Sequence, residues 1–184
     1  LVIKLYYTRN NYNVSYEYDA SAPGAVWPDG APVVTTLGGN YAFGSEVGVK
    51  PTVGINGYTF HGWTTADATV SDNKFAMPAG NVVFKGYYTA NTNTEYKVEH
   101  YQQNLGDTDY TLVAGDTETK TGTTGTVVVE GTGYAAKTNY TGFTYQESLT
   151  VNGAGTKDFT ITGDGLLVIK LYYTRNNYNV SYEY

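Results

Sequence analysis

The stretch LVIKLYYTRNNYNVSYEY, residues 1–18, returns without a mismatch as residues 167–184. Copies that diverge under separate selection accumulate differences, so an identical pair at this separation indicates a near-identical tandem array. An artificial duplication of one end is the alternative. In both cases the chain spans slightly more than one repeat period, and we expect it to be a piece of a longer protein.

A second, weaker repeat lies inside the first and relates segments that are 84 or 85 residues apart. The matching pairs are VVFKGYYT (82–89) with LVIKLYYT (167–174), GYTF (57–60) with GFTY (142–145), and YNV (12–14) with YKV (96–98). Three matches in nearly the same register are difficult to obtain by chance. The sequence therefore predicts two related modules, each large enough to hold a small core of its own.

The same matches predict the module boundaries. The first module spans residues 11–89 and the second spans residues 95–175, with the polar link ANTNT at residues 90–94. A link this short leaves no room for free domain motion. Residues 1–10 would then be the closing strand of a preceding repeat, and residues 176–184 the opening strand of the next. We expect these apolar ends to fray, or to pair with each other or with the sheet edge of a neighbouring molecule.

The composition favours strands, because the 184 residues include 20 Tyr together with many Thr and Val, all of which are enriched in sheets. Residues 12–18 and 96–100 alternate in polarity, which predicts opening strands with one wet face. Residues 82–88 and 167–173 are continuous apolar-aromatic runs, which predict central closing strands covered on both faces. Further strand candidates are residues 126–130 and 159–162. At most one short helix per module is expected, around residues 31–36 or after Asn104.

The sequence offers no catalytic or metal-binding motif. The chain has no Cys, which excludes thiolate metal sites and Cys nucleophiles. Its net charge is −6, and its 11 Lys and Arg are scattered, which argues against nucleic-acid binding. No apolar stretch approaches the roughly 20 residues that span a bilayer. His61 and His100 are interpreted as strand residues, and Asp107-Thr108-Asp109 as a solvated turn rather than a Ca²⁺ loop. We therefore expect no enzyme activity, cofactor, metal, nucleic-acid partner or membrane insertion.

Two lysines occupy equivalent positions in the predicted closing strands. Lys85 and Lys170 lie among apolar residues, and a buried Lys needs a charged partner or a reacted side chain, such as an isopeptide bond to Asn. The alternative, which strand alternation favours, is that both side chains point to solvent.

The aromatic residues are the remaining candidates for function. Twenty Tyr exceed what two small cores can hold, and exposed Tyr and Trp provide large, stiff contact area with a polar tip. We consider Trp27, Tyr101 and Tyr110 as ligand contacts, whereas Trp63 is expected in the core. The alternative for most Tyr is cross-strand pairing along a solvated sheet face.

The motifs resemble two families of bacterial surface repeats. The first module contains GYTFHGWTT (57–65) and NKFAMPAGNVVFKGYYT (73–89), and it resembles SHIRT and internalin-type B-repeat (Listeria–Bacteroides repeat) modules, with Tyr87 and Tyr88 where an aromatic such as Trp is usual. The second module contains YKVEHYQQNLGDTDYTLV (96–113) and resembles MucBP-type mucin-binding repeats. The signature residues of the resemblance are Gly57, Tyr58, Phe60, Trp63, Gly142, Phe143 and Tyr145.

The resemblance implies two tandem β-grasp (ubiquitin-like) modules with little helix, although the residues alone leave a small sandwich open. It also implies an extracellular, cell-wall-anchored location on a Gram-positive bacterium, which the acidic, Cys-free composition fits. Two functions remain open. The segment is either a stalk that projects a binding head, with neighbouring repeats of the same chain as its contacts, or an adhesion module. Such a module would bind mucin glycans or a host surface protein weakly and by avidity.

Overall fold

The computed structural model describes all residues, 1–184, and divides the chain into two units, Leu1–Ala90 and Asn91–Tyr184. The chain is β-rich, as the composition predicts. Its helical content is three single 3-10 turns, at Val34–Thr36, Ala114–Asp116 and Glu147–Leu149. The second unit therefore holds two short turns, one more than expected.

The first unit is built around a parallel strand pair. Its strands are β1 (Asn11–Tyr18), β2 (Ala25–Val26), β3 (Gly39–Ala42), β4 (Glu46–Gly48), β5 (Tyr58–Phe60), β6 (Lys74–Ala76), β7 (Val82–Gly86) and β8 (Tyr88–Ala90). Strand β1 lies parallel to β7 and antiparallel to β3. Strand β8 follows β7 after Tyr87 and pairs with β2 and β5, while β4 and β6 form a separate antiparallel pair.

The core of the first unit forms because alternate residues of β1 and β7 point to one face. Val14, Tyr16, Val82 and Phe84 are all buried there, and full burial of side chains of this size is worth about 1.5–3 kcal/mol each. At Gly86 a Cβ atom would lie 2.6 Å from the ring of Trp63, so only glycine allows the aromatic ring to pack against β7. Trp63 is half-buried against this core, as expected.

The second unit has the same central arrangement. Its strands are β9 (Thr94–Gln103), β10 (Tyr110–Leu112), β11 (Glu118–Gly122), β12 (Phe143–Tyr145), β13 (Val151–Asn152) and β14 (Val168–Arg175). Strand β14 lies parallel to β9, and β12 and β13 pair with its other edge. Strands β10 and β11 pair with the outer edge of β9. The candidate strands at 126–130 and 159–162 meet only through an isolated bridge between Val127 and Thr160.

The register of the closing strands preserves the internal repeat. Tyr58 pairs with Ala90 and Phe60 with Tyr88 in the first unit. The residues that follow them by 85 positions, Phe143 with Arg175 and Tyr145 with Tyr173, pair identically in the second unit. The close similarity of GYTF and GFTY therefore reflects one shared antiparallel pairing.

The opening strands correspond differently from the sequence match. Phe84 of β7 pairs with Tyr16, whereas its counterpart Ile169 of β14 pairs with Val98. Val98 is therefore equivalent to Tyr16 and not, as the sequence match predicts, to Val14. The shift of two residues is tolerated because side chains repeat every second position, so the same face stays in the core.

The expectation that the closing strands are covered on both faces is wrong. Strand β14 is central, with strands on both sides, whereas β7 lies at the end of its sheet, and in both strands only alternate residues are buried. Lys85 of β7 is exposed, and in β14 Val168, Lys170 and Tyr172 are only half-buried. Continuous apolar runs look like fully buried strands in sequence because Val and Tyr suit an open sheet face as well.

The terminal segments lie outside both sheets. Residues 1–10 and 176–184 form no strand, and their apolar side chains are exposed, with Leu5 at 73% and Tyr182 at 81%. Their hydrogen bonds to the units lie next to the sheets. Arg9 donates to the Phe43 carbonyl, whose amide donates to the Asn10 carbonyl, and Asn176 donates its amide to Gly142 and accepts from the Thr144 hydroxyl.

Candidate functional site

A tyrosine cluster lies on the open face of the second sheet, and we define it as Tyr101, Tyr110 and Tyr172. Val98 and His100 lie on the buried face of β9, so Tyr101 lies on its opposite, open face. The parallel register places Tyr172 of β14 beside Tyr101. The Tyr101 and Tyr172 rings stack with centroids 5.3 Å apart, and Tyr110 meets Tyr172 edge-on at 5.1 Å. All three rings are half-buried, so each keeps an accessible edge.

Charged groups border the tyrosine cluster. The Tyr101 hydroxyl donates to the Glu99 carboxylate at 2.7 Å, and burial, with that bond and the charge of Glu99, raises the pKa of Tyr101 to about 12. The Lys170 ammonium lies 5.7 Å from the centroid of the Tyr101 ring, a distance suited to a cation–π contact. The surface thus combines aromatic edges with one carboxylate and one ammonium.

The predicted ligand contacts are divided between the two units. Tyr101 and Tyr110 meet through Tyr172, a residue that the sequence reading missed although alternation along β14 places it outward. Trp27 lies in the first unit, half-buried against Tyr18 and Tyr88 with ring centroids 5.0 and 5.5 Å away. Trp27 therefore packs against its own module rather than standing free as a platform.

A polar cluster inside the second unit surrounds His100. His100 is fully buried; its Nδ1 lies 2.8 Å from the Tyr173 hydroxyl and its Nε2 lies 3.2 Å from a Glu118 carboxylate oxygen. Burial lowers the pKa of His100 and outweighs the opposing effect of Glu118. The neutral ring can donate from Nε2 to Glu118 and accept at Nδ1 from Tyr173, whose oxygen accepts from the Lys137 amide at 2.8 Å.

Opposite charges compensate one another at the rim of this polar cluster. The Lys137 ammonium lies 3.4 Å from Asp116 and 3.8 Å from Glu118. Burial opposes the ionisation of Glu118, but hydrogen bonds from His100 and Lys120 lower its pKa overall. Because every partner is satisfied and the ring is enclosed, the arrangement stabilises the fold and presents no open nucleophile.

The other residues considered in the sequence analysis, His61, Asp107 and Asp109, make local contacts within their own units. The exposed His61 ring stacks on Tyr87, and its Nε2 lies 2.9 Å from the Thr89 hydroxyl. Asp107 accepts from the Asp109 amide in the turn after β9, and no group of three or more His, Asp or Glu side chains is arranged to hold a metal ion. None of the helical turns is long or apolar enough to cross a membrane.

The signature glycines and aromatics begin the antiparallel pairing described above. Gly57 and Gly142 both adopt left-handed backbone, with φ of 80° and 81°, a conformation that favours glycine. Each is followed by a strand, β5 or β12, whose aromatic residues pack on the closing strand. The Phe60 ring lies 4.6 Å from Tyr88, and Tyr145 lies 5.6 Å from Tyr173.

Residues 25–92 match the family model of the divergent InlB B-repeat domain. This segment holds the GYTFHGW string and strands β2 to β8, so the B-repeat resemblance of the first module is confirmed. A solved structure of domains 3–4 of the Streptococcal High Identity Repeats in Tandem (SHIRT) type, from a cell surface protein, is also similar. The similarity covers 90% of this chain and 98% of that chain, with 10% identity and a TM-score of 0.30. No curated protein sequence matches the chain.

Proposed function

We propose that this chain is a non-catalytic repeat segment of an extracellular protein on a Gram-positive bacterium, and that its modules act as a spacer between the cell wall and a binding head. The observation that carries this proposal is the 18-residue identity between residues 1–18 and 167–184. Different halves of the two copies form strands, β1 in the first and β14 in the second. In a head-to-tail array, one such sequence at every junction would supply the closing strand of one repeat and the opening strand of the next.

Several features support a spacer. The B-repeat match over residues 25–92 relates the first unit to a repeat module. Only residues 91–93 separate β8 from β9, which leaves a short tether. The absence of Cys suits a surface protein that does not depend on disulfides. We also infer that both units are β-grasp variants, because in each the opening strand lies parallel beside a strand from the end of the unit, β1 beside β7 and β9 beside β14. In these variants the short helix is reduced to 3-10 turns.

Small-angle scattering on arrays of one, two and four repeat periods tests the spacer. A stiff spacer predicts a maximum dimension that rises in proportion to the number of periods. A flexible tether predicts growth with roughly the square root of that number, and such growth would contradict the proposal.

The tyrosine cluster favours a second candidate function, adhesion to mucin glycans or to a host surface protein. Three half-buried rings beside Glu99 and Lys170 can stack on a sugar face and donate or accept hydrogen bonds at its hydroxyls. The resemblance of the second module to MucBP-type repeats points the same way. Binding by one cluster would be weak, and an array would multiply it through effective concentration.

Binding to immobilised mucin and to a glycan array tests adhesion. Tyr101→Ala with Tyr110→Ala is expected to abolish array-dependent binding, because both outer rings of the cluster are lost. Phe43→Ala is the matched control, since Phe43 is an exposed aromatic residue of the first unit and lies outside the tyrosine cluster. Equal loss with the control, or no binding by a four-period array, would reject the adhesion function.

A further inference from the structure

Two Asn-Gly pairs lie in turns of this chain, Asn56-Gly57 in the first unit and Asn152-Gly153 in the second. In such a pair the backbone nitrogen of the glycine can attack the side-chain amide of the asparagine, because glycine has no Cβ atom that would hinder the approach. The local sequence is reactive in both places. The structure around each pair therefore decides which of them reacts.

The Asn56 side chain is unrestrained. Asn56 is exposed, and its side-chain amide makes no hydrogen bond within the chain. The Tyr58 amide closes the turn by donating to the Ile55 carbonyl at 3.0 Å. A turn closed in this way leaves the N–H of its third residue, here Gly57, without a backbone partner. Neither of the two reacting groups is therefore held by a hydrogen bond.

The Asn152 side chain, in contrast, is fixed. Its Oδ1 accepts from the Ala154 amide at 3.0 Å and from the Thr156 amide at 2.9 Å. Its Nδ2 donates to the Asp158 carbonyl at 2.8 Å, and the residue is half-buried. Rotating the amide carbon toward the Gly153 nitrogen would break these bonds, so the second Asn-Gly pair is protected by the fold.

The second unit repeats the turn of Asn56 with a different residue. Thr141 stands 85 positions later and is exposed, and Gly142 after it has the same left-handed backbone as its counterpart in the first unit. The Phe143 amide closes this turn on the Tyr140 carbonyl at 3.1 Å. Because threonine has no amide to lose, the chain contains an unreactive copy of the same turn.

We propose that Asn56 is a site of spontaneous modification, at which the turn before β5 converts to isoaspartate and loosens that strand as the protein ages. The Gly57 nitrogen attacks Asn56 Cγ and gives up its proton. The new C–N bond closes a succinimide ring, and Nδ2 leaves with that proton as ammonia. Water then opens the ring. Opening at Cγ gives aspartate, and opening at the backbone carbonyl of residue 56 gives isoaspartate, whose main chain runs through Cβ and Cγ.

The pairing of β5 with β8 depends on this turn. Tyr58 both closes the turn and begins the pairing opposite Ala90, and Phe60 follows opposite Tyr88. Isoaspartate adds a methylene group to the main chain of the turn, and it adds a carboxylate to a chain whose net charge is already −6. The longer turn displaces the Tyr58 amide from the Ile55 carbonyl, so β5 loses the bond that starts its register.

Peptide mass spectrometry of the full chain, held in mildly alkaline buffer, measures the reaction at each site. We expect Asn56 to convert at least about tenfold faster than Asn152, because each hydrogen bond that must break first lowers the reactive population of Asn152 several-fold. In urea, which removes these bonds, the two sites should react at similar rates. Equal rates in the folded chain would overturn the proposal. A difference that persists in urea would overturn it too, since local sequence would then be its cause.

Exchanging the residues of the two equivalent turns supplies matched variants. Asn56→Thr gives the first unit the residue of the second and should abolish conversion in that turn. Thr141→Asn places the amide before Gly142 and should create a new site that reacts about as fast as Asn56. A Thr141→Asn chain that stays unmodified at this position would contradict the role of the turn.

Hydrogen exchange of fresh and aged chain tests the effect on β5. We expect the amides of Tyr58–Phe60 to exchange faster once Asn56 has converted, and to keep their rate in aged Asn56→Thr. Fresh Asn56→Asp is the control for charge, because it supplies the carboxylate on an ordinary main chain, and it should exchange as the unaltered chain does. Unchanged exchange in the fully converted chain would refute the loosening of β5.

Discussion

Residues 1–18 and 167–184 have one sequence and opposite structures. In the first copy the second half forms β1 while residues 1–10 form no strand; in the second copy residues 168–175 form β14 and residues 176–184 form no strand. Local preference for strand is the same in both. The difference lies in the partners, since β1 has β3 and β7 beside it and β14 has β9, β12 and β13.

This 18-residue sequence forms strands only where the rest of a module surrounds it. An isolated strand leaves its backbone ladder and its apolar side chains in water, and ordering it costs about 1–2 kcal/mol of backbone entropy per residue. Strand β14 offsets that cost through β9, which lies some 70 residues earlier in the chain, and through a row of buried side chains. Substitutions at twin positions, 166 residues apart, can therefore separate sequence from context.

The largest difference is expected between Tyr16→Ala and Tyr182→Ala. Tyr16 is 4% exposed, its ring stacks on Phe84, and its hydroxyl accepts from the Lys50 amide, so its loss should destabilise the first unit by about 3–5 kcal/mol. Tyr182 is 81% exposed, and its loss should leave the free energy of unfolding unchanged. Urea unfolding of the two variants checks this, and equal losses of unfolding free energy would show that Tyr182 is packed as Tyr16 is.

Leu171→Ala and Leu5→Ala should differ slightly less. Leu171 is fully buried and pairs with His100, so truncation should cost about 2–5 kcal/mol through lost contacts and a cavity. Leu5 is 73% exposed and should be silent. The measurement is again the free energy of unfolding in urea. A destabilising Leu5→Ala would mean that residues 1–8 are packed in solution.

The smallest expected difference concerns pH, because only the buried copy of the tyrosine, Tyr173, meets His100. Burial lowers the pKa of His100 in the folded unit, while the unfolded chain has a pKa of about 6.5. The unfolded state then binds more protons below that value, so stability is full above about pH 6.5 and falls as pH drops through the lowered folded pKa.

Unfolding of the second unit measured between pH 7.5 and 5 should show this loss, and His100→Gln should remove the slope. That window lies above the ordinary range of the carboxylates, so Asp116 and Glu118, whose folded pKa values are lowered, contribute little to it. A slope that survives in His100→Gln would assign the titration to another group.

The sequence predicts where the modules and their strands lie better than it predicts which strand faces are buried. The repeat offsets and the alternation locate the opening and closing strands and the equivalent GYTF and GFTY segments, since these depend on patterns within single segments, but they do not reveal which strands pair. The prediction that both faces of the closing strands are covered is wrong because Lys85 and Tyr172, which lie on the open faces, stand in apolar runs that look buried in the sequence. The sequence pattern does not reveal that Val98 is equivalent to Tyr16, because a shift of two residues keeps the same set of side chains on the buried face of the strand.

The candidate site is only partly predictable for a related reason. Tyr101 and Tyr110 are recognisable as aromatics on the second module, but their meeting through Tyr172 depends on a parallel register between distant strands. The burial of His100 likewise depends on Glu118, Lys137 and Tyr173, which come from three separate segments. Such clusters follow from tertiary pairing and carry no local signal.

Amide hydrogen exchange of the two copies, followed by NMR on segmentally labelled chain because their peptides are identical, tests most directly whether context alone decides their structure. We predict slow exchange in residues 169–174 and 12–17, and rapid exchange at their twins, residues 3–8 and 178–183. Equal protection of both copies would contradict this and would show that the sequence forms its strands without a surrounding module.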